Sequence, residues 1–257
     1  MNIANKIAII TGSTSGIGES IALKLCSMGV HPVICGRDKQ RIDSVVQKCR
    51  SLWPECRVLG VKCDLLIESD VECLITEVNN RFGGRLDILV NNAGDFYVTD
   101  FCEDGNGGQH IAELDREMSF QRNVHRLTQL SVPLLEKNNG LIINISSIDV
   151  SDPSTIISAM TYTTIDMFTR CLAQQLIDKN INIFGIRCGS ICKTKMFDRF
   201  VSDESLMKSI EESIPLRRLG KPLDIAETVA YLALTTSAQQ KLLNGYIWTV
   251  SGGLNHV

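Results

Sequence analysis

No apolar stretch of the chain approaches the ~18 residues that a bilayer-spanning helix needs, and no Cys-x-x-Cys pair occurs among its 10 cysteines. The first absence argues against a membrane span. The second argues against a zinc ribbon or a thioredoxin-type redox motif. Cys188 and Cys192 lack a nearby His or second cysteine pair, so no metal site is expected. Neither sign of charge dominates: 26 basic and 29 acidic residues leave a net charge of −3, and the bases are scattered, which argues against nucleic acid as a partner. There is no internal repeat, low-complexity tract or composition shift, and no apolar segment of signal-peptide type at the start. The expectation is a cytoplasmic protein, most of whose cysteines are buried, reduced thiols.

What the chain has is 257 residues, 44% of them apolar, ample for one sizeable α/β core spanning 1–257. Its organising stretch runs from Ile7 to Gly18. Ile7-Ala8-Ile9-Ile10 reads as a buried strand, Thr11-Gly12-Ser13-Thr14-Ser15-Gly16-Ile17-Gly18 as a turn, and Glu19 to Cys26 as a helix with apolar residues at helical spacing. A strand, a glycine turn and a helix together hold a dinucleotide. The first N–H groups of the helix are unpaired, the helix dipole is positive there, and glycine lets backbone approach a pyrophosphate.

A second strand, Pro32 to Cys35, leads to Gly36-Arg37-Asp38. A carboxylate at the end of this strand would bond a free ribose 2′-hydroxyl. Here Gly36 holds that place and Arg37 follows, so NADP(H) is favoured over NAD(H), since guanidinium pairs well with phosphate. Asp38 is a plausible cap for the next helix. The third strand, Arg57 to Lys62, ends in Cys63-Asp64-Leu65, and the fourth, Leu86 to Val90, ends in Asn91-Asn92-Ala93-Gly94. A polar loop over 95–110 reads as a flexible flap at a substrate entrance. A helix over 112–136, a strand over 141–145 ending in Ser146-Ser147, a helix over 155–178 and a strand over 181–186 follow.

The Thr-Gly-x-x-x-Gly-x-Gly turn at 11–18 and Asn-Asn-Ala-Gly at 91–94 resemble the signatures of the short-chain dehydrogenase/reductase family, and the resemblance extends over essentially the whole chain. It implies one doubly wound Rossmann-type domain of about seven parallel strands with helices on both faces. It implies a homodimer or homotetramer, with the helices at 112–136 and 155–178 at the interface, and a small-molecule carbonyl or alcohol as substrate. The cofactor-binding residues it implies are Gly12, Ser13, Ser15, Gly16, Ile17, Gly18, Arg37, Asp64, Leu65, Asn91, Ala93, Gly94, Gly189 and Thr194. In the family Asp64 contacts the adenine amino group; it could equally cap the helix that begins near Glu68. Asn123 takes the place whose backbone carbonyl holds a relay water, and Ser147 that of the substrate-orienting serine. Residues 192–215 resemble the substrate lid.

The resemblance breaks at the proton donor. The family places a Tyr and, four residues on, a Lys in the helix after Ser147. Aligned on Asp166, Thr169-Arg170 and Leu172-Ala173, the Tyr slot holds Ser158 and the Lys slot holds Tyr162. Asp166 reads as a solvated helix residue. Pro-Gly after the sixth strand becomes Cys188-Gly189, and Lys193 is a candidate for the missing cation or else a solvated lid lysine. Two readings follow. One is an NADP(H)-linked oxidoreductase with an atypical, impaired site, in which Ser147, Tyr162 or Lys193 substitutes for the lost pair. The other is a nucleotide-binding or protein-interaction module without activity. Cofactor binding is not secured by the resemblance, because the lysine that contacts the nicotinamide ribose is absent.

Overall fold

The computed structural model describes residues 3–94, 108–151, 153, 155–201, 203–235 and 241–254. Seven strands form one parallel sheet: β1 (Ile7–Ile10), β2 (His31–Gly36), β3 (Leu59–Lys62), β4 (Ile88–Asn91), β5 (Leu141–Ser147), β6 (Asn182–Cys188) and β7 (Ile247–Val250). Their spatial order is β3-β2-β1-β4-β5-β6-β7. The expected doubly wound fold is therefore the observed one. The chain winds outward from β1 to β3, returns to β4 on the other side of β1, and winds outward again. Ligands of such sheets bind beyond the carboxyl ends of the strands at that reversal.

Strict alternation along β1 sets the two layers. Ala8 and Ile10 face a core shared with α1 (Gly16–Ser27), α2 (Lys39–Leu52) and α8 (Pro222–Leu234). Ile7 and Ile9 face the opposite core, shared with α3 (Glu68–Phe82), α4 (Gly108–Glu136) and α5 (Ile156–Gln175). All four residues are buried, as a strand covered on both faces requires. The start of β1 is pinned by Asp87, whose carboxylate accepts from the Ile7 amide at 2.9 Å and from Arg85 Nε at 2.9 Å.

Most of the flap expected at 95–110 lies outside the described residues; its last three positions, Gly108 to His110, form the first turn of α4. The expected lid consists of two helices, α6 (Lys195–Phe200) and α7 (Glu204–Ser213). Among the described residues no helix is long and apolar enough to cross a membrane.

His31 is buried at the start of β2, and its Nδ1 accepts from the Arg57 amide at 3.2 Å. Burial first, then the charges of Arg57 and Arg85, push its pKa below the ordinary imidazole value. The unfolded ring therefore takes up a proton before the folded one does. Stability is full above about pH 6.5 and falls as pH drops through that value. Thermal unfolding of a His31→Asn variant is expected to depend less on pH than that of the parent between about pH 7 and about pH 5.5.

Candidate active site

Three glycines build the cradle at the end of β1. Gly12 has φ +65°, and a Cβ there would sit 3.0 Å from Ala93 Cα. A Cβ on Gly18 would sit 2.5 Å from both the Gly12 oxygen and Asn92 Nδ2. Gly16, φ +57°, packs under Thr194. The turn is closed by hydrogen bonds to the neighbouring strands. Thr11 Oγ1 accepts from the Asn92 and Ala93 amides at 2.9 Å each, and Asn92 Nδ2 donates to the Thr11 carbonyl at 2.8 Å. The result is a cleft of about 360 Å³ over the first turn of α1, lined by Gly12, Ser15, Gly16, Ile17 and Gly18. Backbone without side chains in front of a helix N-terminus fits a pyrophosphate.

Two expected contact residues stand behind this cleft. Ser13 is fully buried, its Oγ accepting from the Cys35 amide at 3.0 Å, which ties β1 to β2. Asn91 is buried; its Nδ2 donates to Asn144 Oδ1 at 2.8 Å and Thr128 Oγ1 at 3.2 Å. Asn144 donates in turn to Thr169 Oγ1 at 2.9 Å. A continuous polar chain thus runs from α4 through β4 and β5 to α5 beneath the site.

The end of the cleft beyond β2 is lined by Gly36, Arg37, Asp38 and Arg41. Asp38 caps α2, accepting from the Gln40 and Arg41 amides at 2.9 and 3.2 Å, and pairs with Arg41 Nε at 3.3 Å. Asp64 lines the cleft beside Leu65. It is not the cap of α3: its carboxylate accepts from the Leu66 amide at 3.0 Å in a local turn, and Ile67 holds the cap position.

A second cavity of about 480 Å³ opens beside the first and shares Ala93, Gly94 and Thr194 with it. Ser147 and Tyr162 both line it, as does Gly189. Ser147 Oγ accepts from the Asp149 amide at 3.2 Å, which fixes the hydroxyl at the mouth of β5. Thr194 caps α6, accepting from the Phe197 amide at 3.1 Å. Cys188 lines the same cavity, and burial pushes its thiol up to about 12, which leaves it an inert neutral wall.

A model of the short chain dehydrogenase family matches residues 6–205. The chain belongs to that family. A chloroplastic tropinone reductase homologue of Arabidopsis thaliana is 32% identical over 96% of this chain and 75% of its own length. L-sorbose reductase from Gluconobacter frateurii, in a structure with NADPH and L-sorbose, is 26% identical, with a TM-score of 0.89 over 100% of both chains. An NADPH-bound short chain oxidoreductase from Pseudomonas aeruginosa, described as containing an atypical catalytic center, is 25% identical, with a TM-score of 0.87 over 99% of each chain.

Four positions singled out for this short chain dehydrogenase lie away from both cavities. Ser158 is 2% exposed, and its Oγ has no hydrogen-bond partner among the described residues. Asn123 is fully buried, its Nδ2 donating to the Leu65 carbonyl at 2.8 Å, so its side chain clamps α4 onto the cofactor wall. Lys193 is exposed at φ +57°. Asp166 corrects the expectation outright. It is 4% exposed, not solvated, and pairs with Arg187 of β6 at 2.6 Å. Sequence reading also missed Arg41, Arg116, Lys195 and Arg199 on the cofactor cleft, and Glu117 where the two cavities meet. The i,i+4 spacings Arg37/Arg41 and Lys195/Arg199 were the available signal for three of these, Arg41, Lys195 and Arg199.

Proposed function

We propose that the chain is an NADP(H)-linked oxidoreductase that interconverts a carbonyl and an alcohol, with Ser147 and Tyr162 at the reacting oxygen. The observation that carries this reading is the shared cavity: Ser147 and Tyr162 line one space, and that space joins the glycine cradle through Ala93, Gly94 and Thr194. When bound, a reduced nicotinamide supplies the hydride. Ser147 donates to the carbonyl oxygen and orients it. Tyr162 delivers the proton to that oxygen, and solvent restores it. In this reading Ser158 occupies the family's Tyr slot and Tyr162 its Lys slot, so the phenol that serves the reaction stands one helical turn from the family's place for it.

The preference for NADP(H) is supported by Arg37 and Arg41, two guanidinium groups at the adenosine end with Asp38 turned into the cap of α2. The apolar side chains of Met118, Met160 and Met167, each at least 50% exposed on α4 and α5, support self-association of the chain through those helices.

Titration followed by nicotinamide fluorescence tests the reading. NADPH is expected to bind more tightly than NADH, and Arg37→Ala to weaken NADPH about tenfold while leaving NADH nearly unchanged. Tyr162→Phe is expected to lower kcat about a hundredfold without loss of NADPH affinity. No binding of either nucleotide overturns the reading and leaves the fold as an interaction module.

A further inference from the structure

Three cysteines that line neither cavity meet in one layer of the core. Cys26 near the end of α1, Cys49 near the end of α2 and Cys56 between α2 and β3 belong to the same apolar cluster as Ala8 and Ile10. Cys26 and Cys49 are fully buried, and Cys56 is 5% exposed. The Cys26 sulfur is in hydrogen-bonding contact with those of both Cys49 and Cys56. Cys56 Sγ donates to the Cys26 carbonyl at 3.3 Å and to the Val30 carbonyl at 3.5 Å, which holds its loop down over the other two. All three are free thiols. Among the described residues no group of three His, Cys, Asp or Glu side chains is arranged to hold a metal ion, so the trio is not a metal centre.

Sulfur chemistry between the thiols themselves remains. Burial alone pushes the Cys188 thiol up, but Cys49 differs. Its contact with Cys26 holds its thiol below the ordinary value against the opposing effect of burial. The same contact, then burial, pushes the Cys26 thiol up. Cys49 is thus the better nucleophile, with a second thiol already beside it. Pro54, Glu55 and Arg57, which flank Cys56, are exposed, so a short loop separates the trio from solvent. We propose that Cys49 and Cys26 form a reversible oxidation site, which a peroxide converts into a disulfide between α1 and α2. The Cys49 sulfur attacks one peroxide oxygen and becomes a sulfenic acid; the other oxygen leaves as water with the Cys49 proton. The Cys26 sulfur then attacks the Cys49 sulfur. The S–S bond forms, the S–O bond breaks, and the oxygen leaves as a second water with the Cys26 proton. The thiols lose two electrons, and the peroxide gains them. The bond joins the far ends of two helices whose first turns line the cofactor cleft.

Hydrogen peroxide added to the folded chain, followed by intact mass and peptide mapping, tests the inference independently of the oxidoreductase reading. A loss of about 2 Da that dithiothreitol reverses is expected, together with a cross-linked peptide pair holding Cys26 and Cys49. Cys49→Ala is expected to abolish that pair, and Cys56→Ala to leave it in place. Mapping of the unaltered chain decides the matter where a variant fails to fold. Cys26 and Cys49 still present as free thiols after the exposed Cys73 and Cys171 are fully oxidised would overturn the inference. So would either of them being joined to a different cysteine.

Discussion

Gly18→Val is expected to abolish NADPH binding and to lower the thermal midpoint by about 10 °C, the equivalent of about 3–5 kcal/mol in a chain of this size. A Cβ at Gly18 would stand 2.5 Å from the Gly12 carbonyl and 2.5 Å from Asn92 Nδ2. Neither neighbour can yield cheaply. Gly12 is held at positive φ against Ala93, and Asn92 Nδ2 is bonded to the Thr11 carbonyl at 2.8 Å. The new side chain would have to push α1 off the end of β4 and strand those amides. Differential scanning calorimetry and nucleotide titration measure both losses. Gly108→Ala is the control, because among the described residues a Cβ at Gly108 meets nothing within 4 Å and Gly108 lines neither cavity. A Gly18→Val chain that melts with the parent would refute the close-packing account of the cradle.

Asp166→Ala is expected to cost about 3–5 kcal/mol, because it leaves the Arg187 guanidinium partly buried without its counterion. The pair lies between α5 and β6, with Asp166 and Arg187 side chains 5% and 22% exposed. It fixes α5 one helical turn after Tyr162, so the same variant is expected to raise KM as well as lower stability. The double change Asp166→Leu with Arg187→Met removes both charges together and is expected to recover most of the loss in urea unfolding. Equal stability of Asp166→Ala and the parent would show that the pair contributes nothing.

The fold was legible because its signals are local. Alternating burial in β1, the glycine turn, the Asp38 cap and the order of strands and helices are all written in short windows of sequence. The helices beside the site were harder to read. Asp166 looks like any exposed helix acid until β6 brings Arg187 to it, a pairing across 21 residues that no periodicity encodes. Glu117 sits in a polar stretch of α4, and only the packing of α4 over both cavities makes it a wall residue. Ser13 and Asn91 were recognised at the correct strand ends, but the direction of a side chain at a strand end depends on which neighbour offers an acceptor. Asp64 was open between two roles, and the local turn to Leu66 removes one of them.

The polar chain under the site also has a kinetic consequence. Asn91, Asn144, Thr128 and Thr169 are all buried, and each is bonded to a different element. Moving α4 or α5 alone would leave a buried amide without its partner, so the two helices are bound to open together or not at all. Backbone amides near Thr128 and Thr169 are therefore expected to exchange with deuterium at one common, slow rate. Those of α7, which has no buried residue, exchange orders of magnitude sooner. The floor of the site would then stay rigid while α7 opens and closes above the sheet's surroundings on its own timescale.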